Sequence, residues 1–222
     1  MIALLVMTDG REEIYRTIPY AEAMLSGPIS EKWIHDDSGD PANTARLRRL
    51  FPDWNVISTV HRAGFGGAIR SAWQTLRLLS DTDYIFHLED DFEISRLIPL
   101  NSMARILTLE PHLVQLALRR QPWNQEELAA GGIVEQHPED WTDHELDGLE
   151  WLSSRRNFTT NPCLYRRSLI AETEWPEGPY SEGRYSIGLL AADELLRFGY
   201  YGSRSSGEMC RHVGTHRNGI GY

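Results

Sequence analysis

The sequence contains only two cysteines, Cys163 and Cys210, among 222 residues. They do not form a Cys-x-x-Cys pair, which argues against a redox or zinc site of that spacing and against a disulfide framework. We expect two free, buried thiols. The chain also lacks any apolar run near the roughly 18 residues that a membrane-spanning helix needs. Residues 1–7 lack the basic leader and cleavage site of a signal peptide, so a cytoplasmic protein is expected.

Positive charge is scarce as well. Asp and Glu number 32 against 22 Lys and Arg, which gives a formal net charge of −10. The arginines form only small clusters, at 46–49 and 119–120. A protein that binds duplex nucleic acid through its phosphates usually carries a basic stripe, so duplex nucleic acid is not an expected partner.

Strand and helix patterns alternate through the first half of the chain. Predicted strands are 2–8, 33–35, 56–60, 83–88 and 113–118. Predicted helices are 12–25, 42–50, 68–79 and 100–109. Strands that alternate with helices predict parallel β-α-β units, and hence an α/β fold with a mostly parallel central sheet.

The second half of the chain begins differently. Residues 120–155 are polar and acidic, which predicts a long irregular segment that is functional or mobile. Its tryptophans, Trp123, Trp141 and Trp151, either stack on sugar rings or fix the segment to the core. After it we predict a strand near 163–165, helices at 167–172 and 184–198 with Gly199 as a C-cap, and a strand at 209–213.

The most informative run is the predicted strand 83–88 and the three acids that follow it, Glu89, Asp90 and Asp91. Adjacent carboxylates repel each other unless a cation or hydrogen-bond donors compensate them. Mg²⁺ is typically held by one or two carboxylates together with substrate phosphates. The run therefore indicates a metal–diphosphate site and a nucleotide-activated substrate, with a solvated acidic turn as the alternative.

Two further groups of polar residues follow predicted strands. Thr8, Asp9 and Arg11 follow the first strand, and Asp36 and Asp37 follow the second. Ligands of open α/β sheets bind outside the carboxyl ends of the strands. Carboxylates at two neighbouring strand ends can accept hydrogen bonds from a base or a ribose.

A glycine-rich turn precedes the predicted helix 68–79. Gly64 and Gly66 allow close approach of the backbone, a helix N-terminus favours anions, and Arg70 lies one turn into the helix. Tight packing explains such a turn equally well.

The order of these motifs resembles the GT-A superfamily of nucleotide-sugar glycosyltransferases, especially its family 2-like enzymes. Asp36-Asp37-Ser38-Gly39 resembles the Asp-Asp-x-Ser element, and the run 64–71 resembles the glycine-rich helix start with its arginine. Glu89-Asp90-Asp91 resembles the Asp-x-Asp motif with Glu in first place. The resemblance implies a single Rossmann-like GT-A domain, with a nucleotide-sugar-binding half at 1–118 and an acceptor-binding half at 119–222.

The resemblance also implies roles for individual residues. Asp91 would bind Mn²⁺ or Mg²⁺, with Asp90 in the same site, and Glu89 would contact ribose or a metal-bound water. Asp37, together with Asp36, would contact the base, often uracil. Thr8, Asp9, Arg11, Gly64, Gly66 and Arg70 would complete the nucleotide site.

The C-terminal run 212–216 resembles the His-x-Gly segment of the superfamily. His212 would then be a second metal ligand, with His216 as the other candidate. Neutral imidazole is a competent ligand, and Mn²⁺ accepts it more readily than Mg²⁺ does. A histidine at the end of a strand is otherwise a structural residue.

An inverting enzyme also needs a carboxylate that takes the proton of the acceptor hydroxyl. Glu182 lies at a predicted helix start, and Asp193 lies inside that helix, where a solvated face is the alternative interpretation. If neither is a base, a retaining reaction remains open. The expected function is metal-dependent transfer of a sugar from a nucleoside-diphosphate sugar, with a UDP-sugar favoured, to an unidentified hydroxyl.

Two other functions stay open. A sugar nucleotidylyltransferase would show a glycine-rich phosphate loop followed by basic residues, whereas 8–13 has one glycine and turns acidic. A non-catalytic nucleotide- or carbohydrate-binding module of the same fold is the second alternative.

Overall fold

The computed structural model describes residues 1–156 and 158–214. The strands in this part of the chain are β1 (Ile2–Thr8), β2 (Leu25–Ser26), β3 (Ile29–Asp36), β4 (Asn55–Ser58), β5 (Tyr84–Glu89), β6 (Phe92–Ile94), β7 (Ile98–Pro99), β8 (Leu113–Ala117), β9 (Thr142–Leu146), β10 (Leu149–Ser154), β11 (Cys163–Arg166), β12 (Arg197–Tyr201) and β13 (Cys210–His212). The α-helices are α1 (Ile14–Met24), α2 (Pro41–Leu50), α3 (Gly64–Leu79), α4 (Leu100–Leu109), α5 (Gln125–Ala130), α6 (Ile133–Gln136), α7 (Arg167–Glu172) and α8 (Ser181–Ala192).

A nine-stranded sheet runs through the centre in the order β4-β3-β1-β5-β11-β8-β12-β10-β9. All of its strands share one direction except β10 and β11. Every residue of β1 is buried, because β3 and β5 pair with it on either side and helices cover both faces of the sheet. The mixed α/β domain with a mostly parallel sheet confirms the predicted fold class.

The side chains of β1 divide the core into two layers. Leu4 and Val6 point to the layer that includes α1, α2 and α4. Ala3 and Leu5 point to the opposite layer, which includes α3, α7 and α8. Successive residues of a strand face opposite sides, so one apolar strand supports both layers.

Most predicted elements are present, but the interpretation of 120–155 as irregular was wrong. This segment contains α5, α6 and the hairpin β9–β10, which extends the central sheet. The strand β9 is mostly exposed and polar, so it shows little of the apolar alternation that identifies a strand. Backbone pairing with β10 defines it instead.

The predicted helix 184–198 was also wrong at its end. Helix α8 stops at Ala192, and Gly199 lies in the centre of β12 rather than at a helix C-cap. A Cβ at Gly199 would lie 2.7 Å from the carbonyl oxygen of Leu152, so glycine permits the close pairing of β12 and β10.

Two expectations about absent features can be compared with the described residues. Cys163 and Cys210 are free and buried, as predicted. No helix in residues 1–156 and 158–214 has the length and apolar character needed to cross a membrane.

Candidate active site

The predicted site residues meet at the carboxyl edge of β1, β3 and β5. Thr8 is paired with Asp36 across β1 and β3, and Met7 is paired with Glu89 across β1 and β5. The chain then turns into β6, which pairs with β13 so that His212 lies opposite Phe92. A short two-stranded sheet therefore brings the C-terminal histidine to the acidic run.

Asp91 is the centre of this edge. Its Oδ2 accepts a hydrogen bond from Nη1 of Arg11 and lies 3.3 Å from Nε2 of His212. Its Oδ1 is buried and has no hydrogen-bond partner among the described residues. Burial opposes ionisation of Asp91, but the hydrogen bond from His212 and the charge of Arg11 outweigh it and lower the pKa of the carboxyl.

His212 is held in place from several sides. Gln121 accepts a hydrogen bond from its backbone N–H at 2.9 Å and donates one to its carbonyl at 2.8 Å. The imidazole packs edge-on against Trp123 and Phe92, with ring centroids 4.1 and 4.7 Å away. The sequence reasoning did not identify Gln121, because a glutamine in a polar segment carries no pattern of its own.

Asp91 and His212 fit a divalent cation as two protein ligands. The carboxylate of Asp91 has one buried oxygen without a partner, and the imidazole Nε2 of His212 lies 3.3 Å from its other oxygen. Together they offer an oxygen–nitrogen set that Mn²⁺ accepts. Two protein ligands leave coordination positions for substrate phosphates. The single three-residue group of potential ligands in the described residues is His137, Glu139 and Asp140, which lies elsewhere on the surface. His216 lies outside the described residues.

Asp90 is buried and hydrogen-bonded to the protein itself. Its Oδ2 accepts a 2.6 Å hydrogen bond from the hydroxyl of Thr8, and its backbone carbonyl accepts one from Thr17. Burial raises the pKa of Asp90 to about 7, although Arg11 and Thr8 act in the opposite direction. Asp90 and Thr8 therefore connect β5 to β1 beneath the cleft.

Two arginines lie among these acids. Nε of Arg11 is 3.1 Å from Oδ1 of Asp9, and its Nη1 also lies 3.3 Å from Oδ1 of Asp90. Arg62 approaches Asp9 at 2.5 Å. The acidic edge is thus compensated by fixed positive charge.

Asp36 and Asp37 accept hydrogen bonds from the protein itself. Asp36 accepts from Thr44 at 2.7 Å and from Asn43 at 3.0 Å, at the start of α2. Asp37 accepts from the backbone N–H groups of Ala63 and Gly64. The first amides of the glycine turn are therefore occupied by a carboxylate, whereas the sequence interpretation left them for a ligand anion.

The other residues of the glycine turn contact the C-terminal half of the chain. Gly64 adopts a φ of +71°. A Cβ at Gly66 would lie 3.1 Å from Oγ of Ser181, so this glycine lets α3 and α8 approach. Arg70 donates a 3.3 Å hydrogen bond to the carbonyl of Pro176. Close packing, the alternative interpretation of the turn, accounts for Gly66.

Glu182 lies in the first turn of α8 and is linked to Thr160. Its Oε2 accepts from the backbone N–H of Thr160 at 2.9 Å and from the hydroxyl at 2.7 Å. Burial raises the pKa of Glu182 although both hydrogen bonds act against the shift. Thr160 also acts on Glu89: burial and the charge of Asp91 raise the pKa of that carboxyl, and Thr160 opposes the shift. Thr160, which the sequence reasoning missed, thus joins the acidic motif to Glu182.

Asp193 does not join this group. It follows the last residue of α8, at the opposite end of the helix from Glu182, and accepts a 2.8 Å hydrogen bond from the backbone of Leu195. A helix of this length separates its two ends by about 16 Å.

A cavity of about 180 Å³ opens beside Glu182. Its lining residues are Arg120, Ile133, Trp141, Arg156, Phe158, Thr159, Asn161, Glu182 and Tyr200. Arg120 pairs with Glu127 at 2.6 Å, and Arg156 pairs with Asp140 at 2.7 Å. Of the three tryptophans in 120–155, only Trp141 lines this cavity, whereas Trp123 packs on His212 and Trp151 belongs to the core.

No protein-family model matches the sequence, and no curated protein matches it by sequence. Solved structures do match its fold. S. aureus TarS 1-349 in complex with UDP-GlcNAc superimposes with a TM-score of 0.64 and 15% identity, over 99% of this chain and 60% of that one. A second structure of S. aureus TarS 1-349, for which no ligand is named, matches with a TM-score of 0.63 and 13% identity, over 96% of this chain and 60% of that one.

A mannosyltransferase gives a similar result. PcManGT from Pyrobaculum calidifontis, in complex with GDP-Man and Mn²⁺, matches with a TM-score of 0.63 and 12% identity, over 98% of this chain and 58% of that one. The chain thus spans about three fifths of the length of the structures it matches. Its fold is that of the GT-A-type glycosyltransferases.

Proposed function

We propose that this protein is a glycosyltransferase that moves a sugar from a nucleoside-diphosphate sugar to an acceptor hydroxyl with the aid of a divalent cation. The pairing of Asp91 with His212 at the carboxyl edge of the sheet carries the proposal. It is supported by a fold whose solved examples include complexes with UDP-GlcNAc and with GDP-Man and Mn²⁺.

On the donor side, Asp91 and His212 would hold Mn²⁺ or Mg²⁺. When bound, the cation would act as a Lewis acid and stabilise the negative charge of the departing nucleoside diphosphate. Arg11 and Arg62 add fixed positive charge at the same edge. Glu89, which is partly exposed there, is the proposed contact for the ribose.

The remaining residues predicted for the donor site act indirectly, by positioning the parts of the protein that surround the donor. Asp36 and Asp37 position the loops that enclose the base, for which uracil is the favoured candidate. Thr8 and Asp90 fix the strands beneath the diphosphate through their mutual hydrogen bond. Gly66 and Arg70 join this half of the site to the loop and helix on the acceptor side, whereas Gly64 donates its backbone N–H to Asp37.

On the acceptor side, we assign the role of general base to Glu182. It lines a cavity, and hydrogen bonds from Thr160 hold its carboxylate in one orientation. A base placed in this way takes the proton of the acceptor hydroxyl as that oxygen attacks the anomeric carbon, so the reaction is inverting. The cavity beside it would receive the acceptor.

Calorimetric titration of UDP and of GDP, each with and without Mn²⁺, tests the proposal. We expect metal-dependent binding of one nucleotide, which also identifies the donor base. Asp91→Ala should abolish the metal dependence, whereas Asp53→Asn, a change at an exposed acid between α2 and β4, should leave it intact. Binding without sugar transfer to any acceptor would instead indicate a non-catalytic module.

A further inference from the structure

Arg11 places a protein cation where the proposed metal ion would bind. Its Nη1 hydrogen-bonds Oδ2 of Asp91 and lies 3.3 Å from Oδ1 of Asp90, while its Nε reaches Oδ1 of Asp9 at 3.1 Å. The side chain of Asp91 is only 4% exposed, so little solvent screens this ion pair. One guanidinium therefore pairs with carboxylates that follow both β1 and β5.

We propose that Arg11 determines the order of binding, in that it occupies Asp91 until a nucleoside diphosphate is present and thereby keeps the metal ion from binding alone. This inference rests on the proposed function, since it concerns the same metal and donor site. It assigns to Arg11 a role in excluding free metal that ends when the guanidinium moves to the nucleotide.

Electrostatics explains why the metal ion alone should bind weakly. To bind Oδ2, the Asp91 oxygen that lies 3.3 Å from His212, the metal ion must displace Arg11. It then lies beside a guanidinium of like charge in a partly buried site. Displacement also removes a charge-assisted hydrogen bond, the stronger class of hydrogen bond.

A diphosphate removes both costs. Its anionic oxygens offer the planar guanidinium a bidentate partner in place of the carboxylate. Asp9 is not left uncompensated when Arg11 moves, because Arg62 pairs with it at 2.5 Å. Metal and nucleotide should therefore each increase the affinity for the other, and by the same factor.

Electron paramagnetic resonance titration of Mn²⁺ measures metal binding without any turnover. Arg11→Gln should increase the affinity for Mn²⁺ alone by about tenfold or more, and it should reduce the coupling between Mn²⁺ and UDP or GDP by a similar factor. Arg105→Gln is the control, because Arg105 is an exposed arginine of α4 that pairs with Asp147 and contacts none of the acids of the site. Its affinity for Mn²⁺ alone should equal that of the wild type.

Unchanged or weaker binding of Mn²⁺ alone by Arg11→Gln would overturn the inference. Failure of the proposed function looks different, because the wild type would then bind neither nucleotide in the presence of Mn²⁺. If Arg11→Gln does not fold, as judged by circular dichroism, Arg11→Met takes its place. Methionine keeps an unbranched side chain but removes the positive charge, so the affinity for Mn²⁺ alone should still rise, and no rise would refute the inference.

Discussion

Gly214 lies against the carboxylate of Asp91. A Cβ at Gly214 would lie 2.5 Å from Oδ2 and 2.9 Å from Cβ of Asp91, closer than real side-chain contacts allow. The backbone of Asp91 in turn accepts a 2.7 Å hydrogen bond from Val213. The segment after β13 therefore packs onto the proposed metal ligand with no space for a side chain.

Gly214→Ala should therefore weaken metal-dependent nucleotide binding, because the added methyl group forces the Asp91 carboxylate out of position. We expect a loss of about tenfold or more in affinity for the Mn²⁺–nucleotide pair. Gly188→Ala in α8 is the matched control, since a Cβ there meets nothing within 4 Å. Calorimetry on both variants checks the expectation, and equal affinities would show that Asp91 can move without cost.

Glu182→Gln should preserve donor binding and lose transfer. Amide nitrogen and oxygen cannot take the proton, so kcat should fall by about 10²–10⁴-fold. Asp193→Asn changes a carboxylate at the far end of the same helix and should leave the rate unchanged. Release of nucleoside diphosphate in the presence of acceptor measures both. Normal transfer by Glu182→Gln would place the base elsewhere or indicate a retaining reaction.

Thr160→Val should shift the pH dependence of transfer. The hydroxyl of Thr160 stabilises the ionised form of Glu182 and so lowers its pKa, against the larger upward effect of burial. Without the hydroxyl, the pKa of Glu182 rises further, and the acidic limb of kcat/KM should move to higher pH. Thr160→Ser restores the donor and should restore the profile. A loss of rate with no movement of that limb would mean a purely structural role.

Asp90→Asn should make stability less dependent on pH. Between its ordinary pKa of 3.8 and about 7, the folded state holds a proton on Asp90 that the unfolded state has released. The wild type therefore loses free energy of unfolding as pH rises through this window, by roughly 4 kcal/mol at most. Urea unfolding in EDTA across this pH window should show that the free energy of unfolding of the variant rises relative to that of the wild type as pH increases. A difference in free energy of unfolding between variant and wild type that stays constant across the window would contradict the prediction.

Local sequence patterns were sufficient to predict the central strands and the helices that pack on them. The continuous apolar run of β1 and the periodic apolar face of α3 are local properties of the chain, so both were predicted from sequence. The same is true of the acids after β5, because an abrupt change from apolar residues to three carboxylates is visible without a structure. Helix α8 and strand β12 were merged because Leu195 and Phe198 continue an apolar pattern across the break.

The partners of the site residues needed the tertiary structure. Asp37 and Gly64 both looked like ligand-binding residues, but the folded chain brings the carboxylate of one onto the backbone N–H of the other. Thr160 carries no motif, and only the packing of α8 places it against Glu182. Such contacts depend on distant segments, and hydrophobic periodicity contains no information about them.

The sequence by itself determined an α/β fold with acids at the carboxyl edge of the sheet. An apolar run that forms a buried strand, and the charged run that ends it, are both features of the local sequence. Only the tertiary structure decided which groups compensate those acids. The pairing of β6 with β13 brings His212 to Asp91, and the loop after β1 brings Arg11 to the same carboxylate. Buried carboxylates are compensated by the cations and hydrogen-bond donors that lie close to them in space, and these groups can come from distant parts of the chain.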